Sequence, residues 1–228
     1  MSLPPGQRSI GYFPRRFGVA FWERPPLIAE PALIRVAGAV AHHLEVPVSR
    51  LAELRRRDIV ADFHCVTGWT VPGLHWGGVS FRTFYESVIV PEAGPDPGVT
   101  HILFGGADGE RSTLVLDDAF DEDVLLADQL GGTALESDHG APVRLLSLKQ
   151  YGYKSTKYLC CIELHTREPA DGHRKALVRF LRRLVKPHPR ARVLEEERHR
   201  YLPAWVVRGI YRMFFRSWAW VYRRRSRP

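Results

Sequence analysis

The sequence predicts an α+β fold whose body is a mainly antiparallel or mixed β-sheet with scattered helices. Three observations predict it: strand-like runs outnumber helical ones, Gly-rich turns separate those runs, and 45% of the 228 residues are hydrophobic. Such a share of hydrophobic residues is sufficient for a sizeable core in one domain. The last quarter of the chain differs in composition and is predicted to form a basic helical extension.

Charge is distributed unevenly along the chain. Residues 171–228 contain 17 Lys and Arg against 4 Asp and Glu, whereas the preceding 170 residues contain 16 against 21. The two parts therefore carry net charges of +13 and −5. This asymmetry predicts a domain over residues 1–168 and a basic amphipathic extension over residues 169–228.

The first part of the chain predicts little regular structure, then a strand, a helix and a second strand. Residues 1–30 are rich in proline, glycine and aromatic residues and are expected to wrap over the core. A strand is predicted at 32–40 (ALIRVAGAV) and a helix at 46–59 (VPVSRLAELRRRDI). Residues 57–67 return to β character, which places Cys65 near the end of a strand.

The middle of the chain alternates between turns, helices and strands. Gly73, Gly77 and Gly78 predict a loop, and residues 79–90 have apolar residues at helical spacing. Residues 100–116 predict a hairpin around GGADGE. The remaining elements are a short acidic helix at 117–130, a loop at 131–142, and two strands at 143–148 (VRLLSL) and 157–164 (KYLCCIEL).

The stretch DFHCVTGWT (62–70) contains one of only three cysteines. Cys65 is either a small buried apolar residue or a thiolate that acts as nucleophile or soft metal ligand. A zinc site with His64 is excluded because no second ligand pair has the required spacing. A nucleophilic Cys/His pair stays open, with ten histidines available. On a strand, His64 points away from Cys65, so we interpret His64 as structural.

A second group of polar residues lies in HGAPVRLLSLKQYGYKSTKYL (139–159). Arg144 follows a tight Gly-Ala-Pro turn, and Lys154, Ser155, Thr156 and Lys157 follow Gly152. Hydroxyl groups, backbone amides and positive charge in one turn suit a phosphate. The spacing is not that of a Walker loop, so a solvated basic hairpin is the alternative.

Together, DFHCVTGWT, WGGVSFRTF (76–84), HGAPVRL and YGYKSTKYLCCIEL resemble the molybdopterin-binding domain of the sulfite oxidase family, over about residues 8–166. They are most similar to its small bacterial branch, which includes methionine-sulfoxide reductase catalytic subunits. The resemblance implies a sulfite-oxidase-like fold and a molybdenum–molybdopterin cofactor, with Cys65 as the only protein ligand of the metal. It further implies that the pterin and its phosphate are held by His139, Arg144, Ser155, Thr156 and Lys157.

Three departures from that family's pattern bear on the cofactor contacts and on the substrate. His139 stands where several relatives have asparagine, and FGG (104–106) replaces a stretch that is often polar. Val66, Thr67 and Gly68 replace the arginine pair of sulfite oxidases, which argues against sulfite. We therefore expect two-electron oxygen-atom transfer on a small S- or N-containing substrate, with reduction favoured and a separate electron-transfer partner. The alternative is an inactive molybdopterin-fold module that docks through its basic tail.

The extension suggests two surfaces on one helix. On a helical wheel Arg208, Arg212, Arg216 and Arg223 fall on one arc, and the opposite side carries Val206, Val207, Ile210, Met213, Phe214, Trp218 and Val221. This apolar side either packs on the body or, over residues 202–228, contacts an anionic membrane surface. Nucleic acid is not expected as a partner. We expect a cytoplasmic protein, because no export signal or membrane span is recognisable, and association with a membrane surface through the extension stays open.

Overall fold

The computed structural model describes residues 3–14, 25–170 and 187–212, which form two β-sheets joined by short helices. One sheet contains six strands and the other five, and each combines antiparallel pairs with one parallel pair. The predicted α+β class with mixed sheets and few helices is therefore confirmed. The division into residues 1–168 and 169–228 stays a prediction.

The six-stranded sheet is built around its longest strand, β5. Strand β5 pairs in parallel with β1 and antiparallel with β4 and β8, while β10 and β9 extend the sheet from β8. The strands are β1 (Arg8–Ser9), β4 (Arg56–His64), β5 (Trp69–Ser80), β8 (Val124–Leu130), β9 (Thr133–Ala134) and β10 (Arg144–Ser147). Strand β4 ends at His64, directly before Cys65, and β10 begins at Arg144. Two strands of this sheet therefore border the candidate site segments.

The five-stranded sheet has the strand order β3-β2-β11-β6-β7. Its central strand β11 runs parallel to β2 and antiparallel to β6. The strands are β2 (Leu33–Gly38), β3 (Leu44–Pro47), β6 (His101–Gly106), β7 (Arg111–Val115) and β11 (Leu159–His165). The predicted strand at 32–40, the hairpin at 100–116 and the strand at 157–164 are confirmed.

Helical structure in the body is short. Residues 81–93 form a continuous segment made of α1 (Phe81–Phe84), a π-helical turn (Tyr85–Ile89) and α2 (Val90–Ala93). Ser80 caps it, since its hydroxyl accepts a hydrogen bond from the Thr83 backbone N–H at 3.0 Å. The predicted helix at 79–90 is confirmed. In the described part of the body, the other α-helix is α3 (Leu116–Ala119).

Two predicted helices are wrong because sheet pairing overrides their local pattern. In the segment 46–59, a 3₁₀ turn (Val48–Glu53) leads directly into β4. In the segment 117–130, only the end of α3 is helical, and β8 follows. The first four residues of β8, VLLA, are completely buried between β5 and β10, as in a central strand that is covered on both faces.

The predicted loop at Gly73, Gly77 and Gly78 is also wrong, because all three glycines lie within β5. The glycines serve close packing rather than a turn. A Cβ atom on Gly78 would lie 2.7 Å from Ala127 Cα and closer still to Leu126 O. Only glycine therefore lets β5 and β8 pair at this position.

We expect Gly78→Ala to lower the free energy of unfolding by about 3 kcal/mol, because the backbone of β8 cannot move aside. Gly77→Ala is the matched control, since the nearest atoms to its Cβ would be side-chain oxygens of Asp58 and Gln129, both at 2.8 Å, rather than backbone. It should cost less than about 1 kcal/mol, because such side chains rotate away. Urea unfolding of both variants measures the difference, and equal losses would contradict this account of β5.

Residues 204–212 form a helix that lies against the body. Val207 is buried, whereas Trp205 and Ile210 are exposed, so the apolar side predicted from the sequence is divided between the body and the surface. The predictions for Arg216, Arg223 and the apolar residues from Met213 onward concern residues outside the described ranges. Among the helices of the described ranges, none is long and apolar enough to cross a membrane.

Candidate functional site

Cys65 lies directly after β4, in a tight loop that leads into β5. Its backbone N–H donates to Trp69 O at 2.8 Å, and its carbonyl accepts from Gly68 N–H at 3.0 Å and from Gln7 Nε2 at 3.2 Å. Gly68 has φ +98°, a left-handed conformation that favours glycine. Three hydrogen bonds therefore fix the position of the Cys65 backbone.

The Cys65 thiol lies 3.2 Å from Thr67 Oγ1 and packs against the apolar cluster of the six-stranded sheet. Burial raises the pKa of the thiol, while the Thr67 hydrogen bond and the positive charge of Arg198 oppose this rise. The thiol is therefore neutral at pH 7 by itself. A bound metal ion would provide the charge that releases its proton.

His64 does not join Cys65 in a metal site. Its Nδ1 lies 2.8 Å from Thr70 Oγ1 across the β4–β5 pair, and burial lowers the pKa of the ring. In the described parts of the chain, no group of three or more His, Cys, Asp or Glu side chains is placed to hold a metal ion.

Arg144 is a buried cation at the start of β10, only 1% exposed. Its Nη1 donates to His139 O at 3.0 Å and its Nη2 to Ser155 O at 3.2 Å, while Nε is buried without a partner. It forms no ion pair with any described residue, and burial lowers its pKa to about 10. A positive charge without a counter-ion is costly in this position.

His139 lies in the turn that precedes β10. Its ring stacks on Phe13 with centroids 5.0 Å apart, and its buried Nδ1 has no hydrogen-bond partner among the described residues. Burial, with Lys157 and Arg144 next, lowers its pKa to about 4, so the ring is neutral at pH 7. Lys157 donates from Nζ to Asp138 O, which holds this turn against the start of β11.

The hydroxyl groups of Ser155 and Thr156 are engaged within the protein. Ser155 Oγ accepts from Ser147 N–H at 3.1 Å, and Thr156 Oγ1 lies 2.7 Å from Ser112 Oγ. These contacts fix the turn between β10 and β11. A direct contact of either hydroxyl with a phosphate stays a prediction.

Close packing explains the last glycine of FGG (104–106), Gly106. A Cβ atom on Gly106 would lie 2.6 Å from Asp108 Oδ1 and closer still to Lys157 O. A side chain there would push the backbone of Lys157 out of place. Gly106 therefore permits the position of the 155–157 turn.

Phe63 connects the Cys65 loop with the second segment of the site. Arg144 Cζ lies 5.6 Å from the centre of the Phe63 ring, and a Cβ atom on Gly152 would lie 2.6 Å from Phe63 Cε1. Cys65 and Ala141 also contact the same apolar cluster as Phe63. The structure thus brings together two segments that are more than seventy residues apart in the sequence.

The sequence interpretation missed the contribution of the extension to this site. Arg198 is 1% exposed; it donates to Val66 O and, at 3.3 Å, to Pro5 O, and its Cζ lies 4.8 Å from the centre of the Tyr151 ring. Lys154, predicted as part of a phosphate turn, donates to Thr113 O and Pro189 O instead. The run EEERHR (195–200) gave no signal of this, because charged runs are usually solvated.

Backbone pairing also attaches the extension to the body. Tyr151 N–H donates to Ala191 O at 3.0 Å, and Val193 N–H donates to Lys149 O at 2.9 Å. Arg190 forms an ion pair with Asp118 of α3. Residues 187–212 therefore cover the turn that follows β10.

Comparisons with known proteins identify relatives of this chain. A protein-family model, the oxidoreductase molybdopterin binding domain, matches residues 25–173. The uncharacterized oxidoreductase YuiH of Bacillus subtilis is 30% identical over 139 residues, which cover 61% of this chain and 67% of YuiH. The methionine-sulfoxide reductase catalytic subunit MsrP of Gluconobacter oxydans is 28% identical over 159 residues, covering 61% of this chain. Only 48% of MsrP is covered, so the chain spans about half the length of this relative.

A solved structure supports the fold. The sulfane dehydrogenase SoxCD from Paracoccus pantotrophus aligns with a TM-score of 0.54 at 20% identity, over 63% of this chain and 40% of that protein. The family match extends over more than half of the chain and includes Cys65, His139, Arg144 and the 155–157 turn. The chain therefore belongs to the family of oxidoreductase molybdopterin-binding domains.

Proposed function

We propose that this chain is a molybdenum-cofactor-dependent oxidoreductase that transfers an oxygen atom to or from a small S- or N-containing substrate. The observation that carries the proposal is the convergence of Cys65 with a buried, uncompensated Arg144 around Phe63. A soft sulfur ligand and a cation for an anionic cofactor thus lie at one site.

The residues present fit a molybdopterin. Among the described residues, Arg144 has no counter-ion, and Arg144 Nε and His139 Nδ1 are buried polar atoms without hydrogen-bond partners. Buried polar groups are normally satisfied, so these atoms suit an anionic, hydrogen-bonding group such as a pterin phosphate. His139, Arg144 and the turn of Ser155, Thr156 and Lys157 would hold it. When bound, the cofactor would supply the two-electron redox chemistry.

Cys65 would be the protein ligand of the molybdenum. Thr67 Oγ1 and the charge of Arg198 both favour the thiolate over the thiol, so this chain helps to hold the ligand in its binding form. The rigid loop around Gly68 sets the position of the sulfur before any metal arrives.

Reduction of a sulfoxide or an N-oxide is the direction we favour. Val66, Thr67 and Gly68 occupy the positions after the cysteine, and one relative is a methionine-sulfoxide reductase subunit. Protein from a host that makes the cofactor should oxidise reduced viologen when a sulfoxide or N-oxide from a panel is added. Fully loaded protein that reduces none of them would instead favour the alternative, an inactive binding module of the same fold.

The extension is proposed to dock the electron-transfer partner or an anionic membrane surface from the cytoplasmic side. Trp205 is 75% exposed, and exposed Tyr201 and Ile210 lie in the same segment, which carries a large positive charge. Both signals are those of an interfacial contact.

We expect Trp205→Ser to weaken binding to phosphatidylglycerol vesicles by about tenfold, since an interfacial tryptophan contributes through its apolar ring. Leu27→Ser is the matched control, because Leu27 is fully exposed on another segment. Co-sedimentation with anionic and with neutral vesicles measures the effect. Equal binding of both variants, or no preference for anionic vesicles, would remove the membrane from the proposal.

A further inference from the structure

A pocket beside the Cys65 loop is lined on three sides by different parts of the chain. The N-terminal arm contributes Arg8, the Cys65 loop contributes Thr67, and the extension contributes Arg198, Arg208 and Arg212. The same Thr67 hydroxyl lies 3.2 Å from the Cys65 thiol, so the pocket adjoins the sulfur. The three extension arginines lie outside the residues matched by the family.

The charge of this pocket is strongly positive. Among the described residues, Glu196 is the carboxylate that pairs with these arginines: it forms an ion pair with Arg208 and lies 3.9 Å from Arg198. Neither Arg8 nor Arg212 forms an ion pair within the described ranges. Four guanidinium groups against one carboxylate leave a formal charge of +3 beside a site that is expected to react with small molecules.

Two of the arginines have donors that the protein leaves unused. Arg198 is 1% exposed, and its Nε is buried without a hydrogen-bond partner among the described residues. The Nε of Arg208 is also buried without a hydrogen-bond partner among these residues. Because buried guanidinium donors are normally satisfied, these two atoms indicate a missing acceptor rather than a packing detail.

Two glycines allow the N-terminal arm and the Cys65 loop to lie close to these arginines. Gly6 has φ +70°, and a Cβ atom there would lie 3.0 Å from Arg198 Nη2 and 3.1 Å from Arg208 Cδ. Gly68 has φ +98°, and a Cβ atom there would lie 2.9 Å from Gly6 O. Larger residues at either position would bring side chains into the wall of the pocket.

We propose that this pocket binds an anionic group of the substrate, such as a sulfonate, sulfinate or carboxylate, and holds the substrate next to Cys65. The extension would then be part of the substrate site and would determine specificity for negatively charged substrates. The identification of the bound anion as a substrate rests on the proposed function. The binding of an anion at this pocket does not depend on molybdenum. Planar guanidinium groups bind oxoanions through paired hydrogen bonds.

The test uses the full chain, made in a host that lacks the cofactor, and inorganic sulfate as the probe. Calorimetric titration at constant ionic strength should show sulfate binding, and Arg212→Gln and Arg8→Gln should each weaken it by about tenfold or more. These two arginines are exposed and form no ion pair with any described residue, so their loss should leave the fold intact. Arg55→Gln, at an exposed arginine away from the pocket, changes the net charge equally and should have no effect.

The proposal is overturned if wild-type protein binds no sulfate beyond the ionic-strength control, or if Arg212→Gln and Arg55→Gln bind it equally. Titration of the cofactor-loaded chain separates the two sources of an anion. Retained sulfate binding is expected for a substrate site, whereas its loss on loading would assign the pocket to the phosphate of the cofactor. Sulfate binding by protein that never acquires molybdenum would leave the pocket standing and reject the proposed function alone.

Discussion

Replacement of Cys65 by serine is expected to lower the molybdenum content from about one atom per chain to almost none. The reason is the chemistry of the ligand: a thiolate is soft and binds the metal strongly, whereas a serine hydroxyl is hard and stays protonated. Viologen-dependent turnover should be lost with the metal. Elemental analysis and pterin fluorescence of protein from a cofactor-producing host measure the outcome.

The fold itself should tolerate this change. The Cys65 thiol contacts the Thr67 hydroxyl, a hydrogen bond that a serine hydroxyl can also make, and the loop is held by backbone contacts. We expect the free energy of unfolding of the cofactor-free protein to change by less than about 1 kcal/mol. Loss of metal without loss of stability would then identify a ligand rather than a structural residue.

Cys160→Ser is the matched control. Cys160 is also partly buried, and its thiol contacts Gly105 O at 3.6 Å in the other sheet. This variant should retain its molybdenum. A Cys65→Ser protein with a full complement of metal would show that Cys65 is not the ligand.

Arg144→Met is expected to remove the cofactor while leaving the cofactor-free protein folded. The pterin content should fall by at least about tenfold, because a charge-assisted contact to a phosphate contributes at least 1.4 kcal/mol or so. Pterin fluorescence after denaturation gives the content, and urea unfolding gives the stability.

The expected stability follows from two effects of opposite sign. Removing a buried cation that has no counter-ion relieves a desolvation cost of several kcal/mol. Leaving the carbonyls of His139 and Ser155 without their donor costs about 1–3 kcal/mol for each. We therefore expect a net change within about 2 kcal/mol in the cofactor-free protein.

Arg50→Met provides the comparison for this variant. Arg50 forms a bidentate ion pair with Glu92 on the surface, away from the site. Its loss should change neither the pterin content nor, by more than about 1 kcal/mol, the stability. Arg144→Met protein that retains the pterin would contradict the assigned role, and a loss of 5 kcal/mol or so would make Arg144 a structural residue.

Much of the fold is predictable because local patterns report directly on it. The strands at 32–40, 143–148 and 157–164 have runs of apolar and β-branched residues, and the GGADGE turn identifies one hairpin. The predictions of helices at 46–59 and 117–130 are wrong because tertiary pairing decides between strand and helix for short apolar segments. The glycines of β5 resemble a loop in sequence, but the approach of β8 explains Gly78.

The candidate site is also predictable only in part from the sequence. The residue types at Cys65, His139, Arg144 and the 155–157 turn, with their order along the chain, are a property of the sequence, and they led to the family. The sequence alone does not contain the distances between these segments, since the pairing of distant strands places Phe63, two residues before Cys65, beside Arg144. Only the tertiary structure shows that residues 187–212 return to the same site, because the burial of Arg198 depends on contacts with Pro5, Val66 and Tyr151.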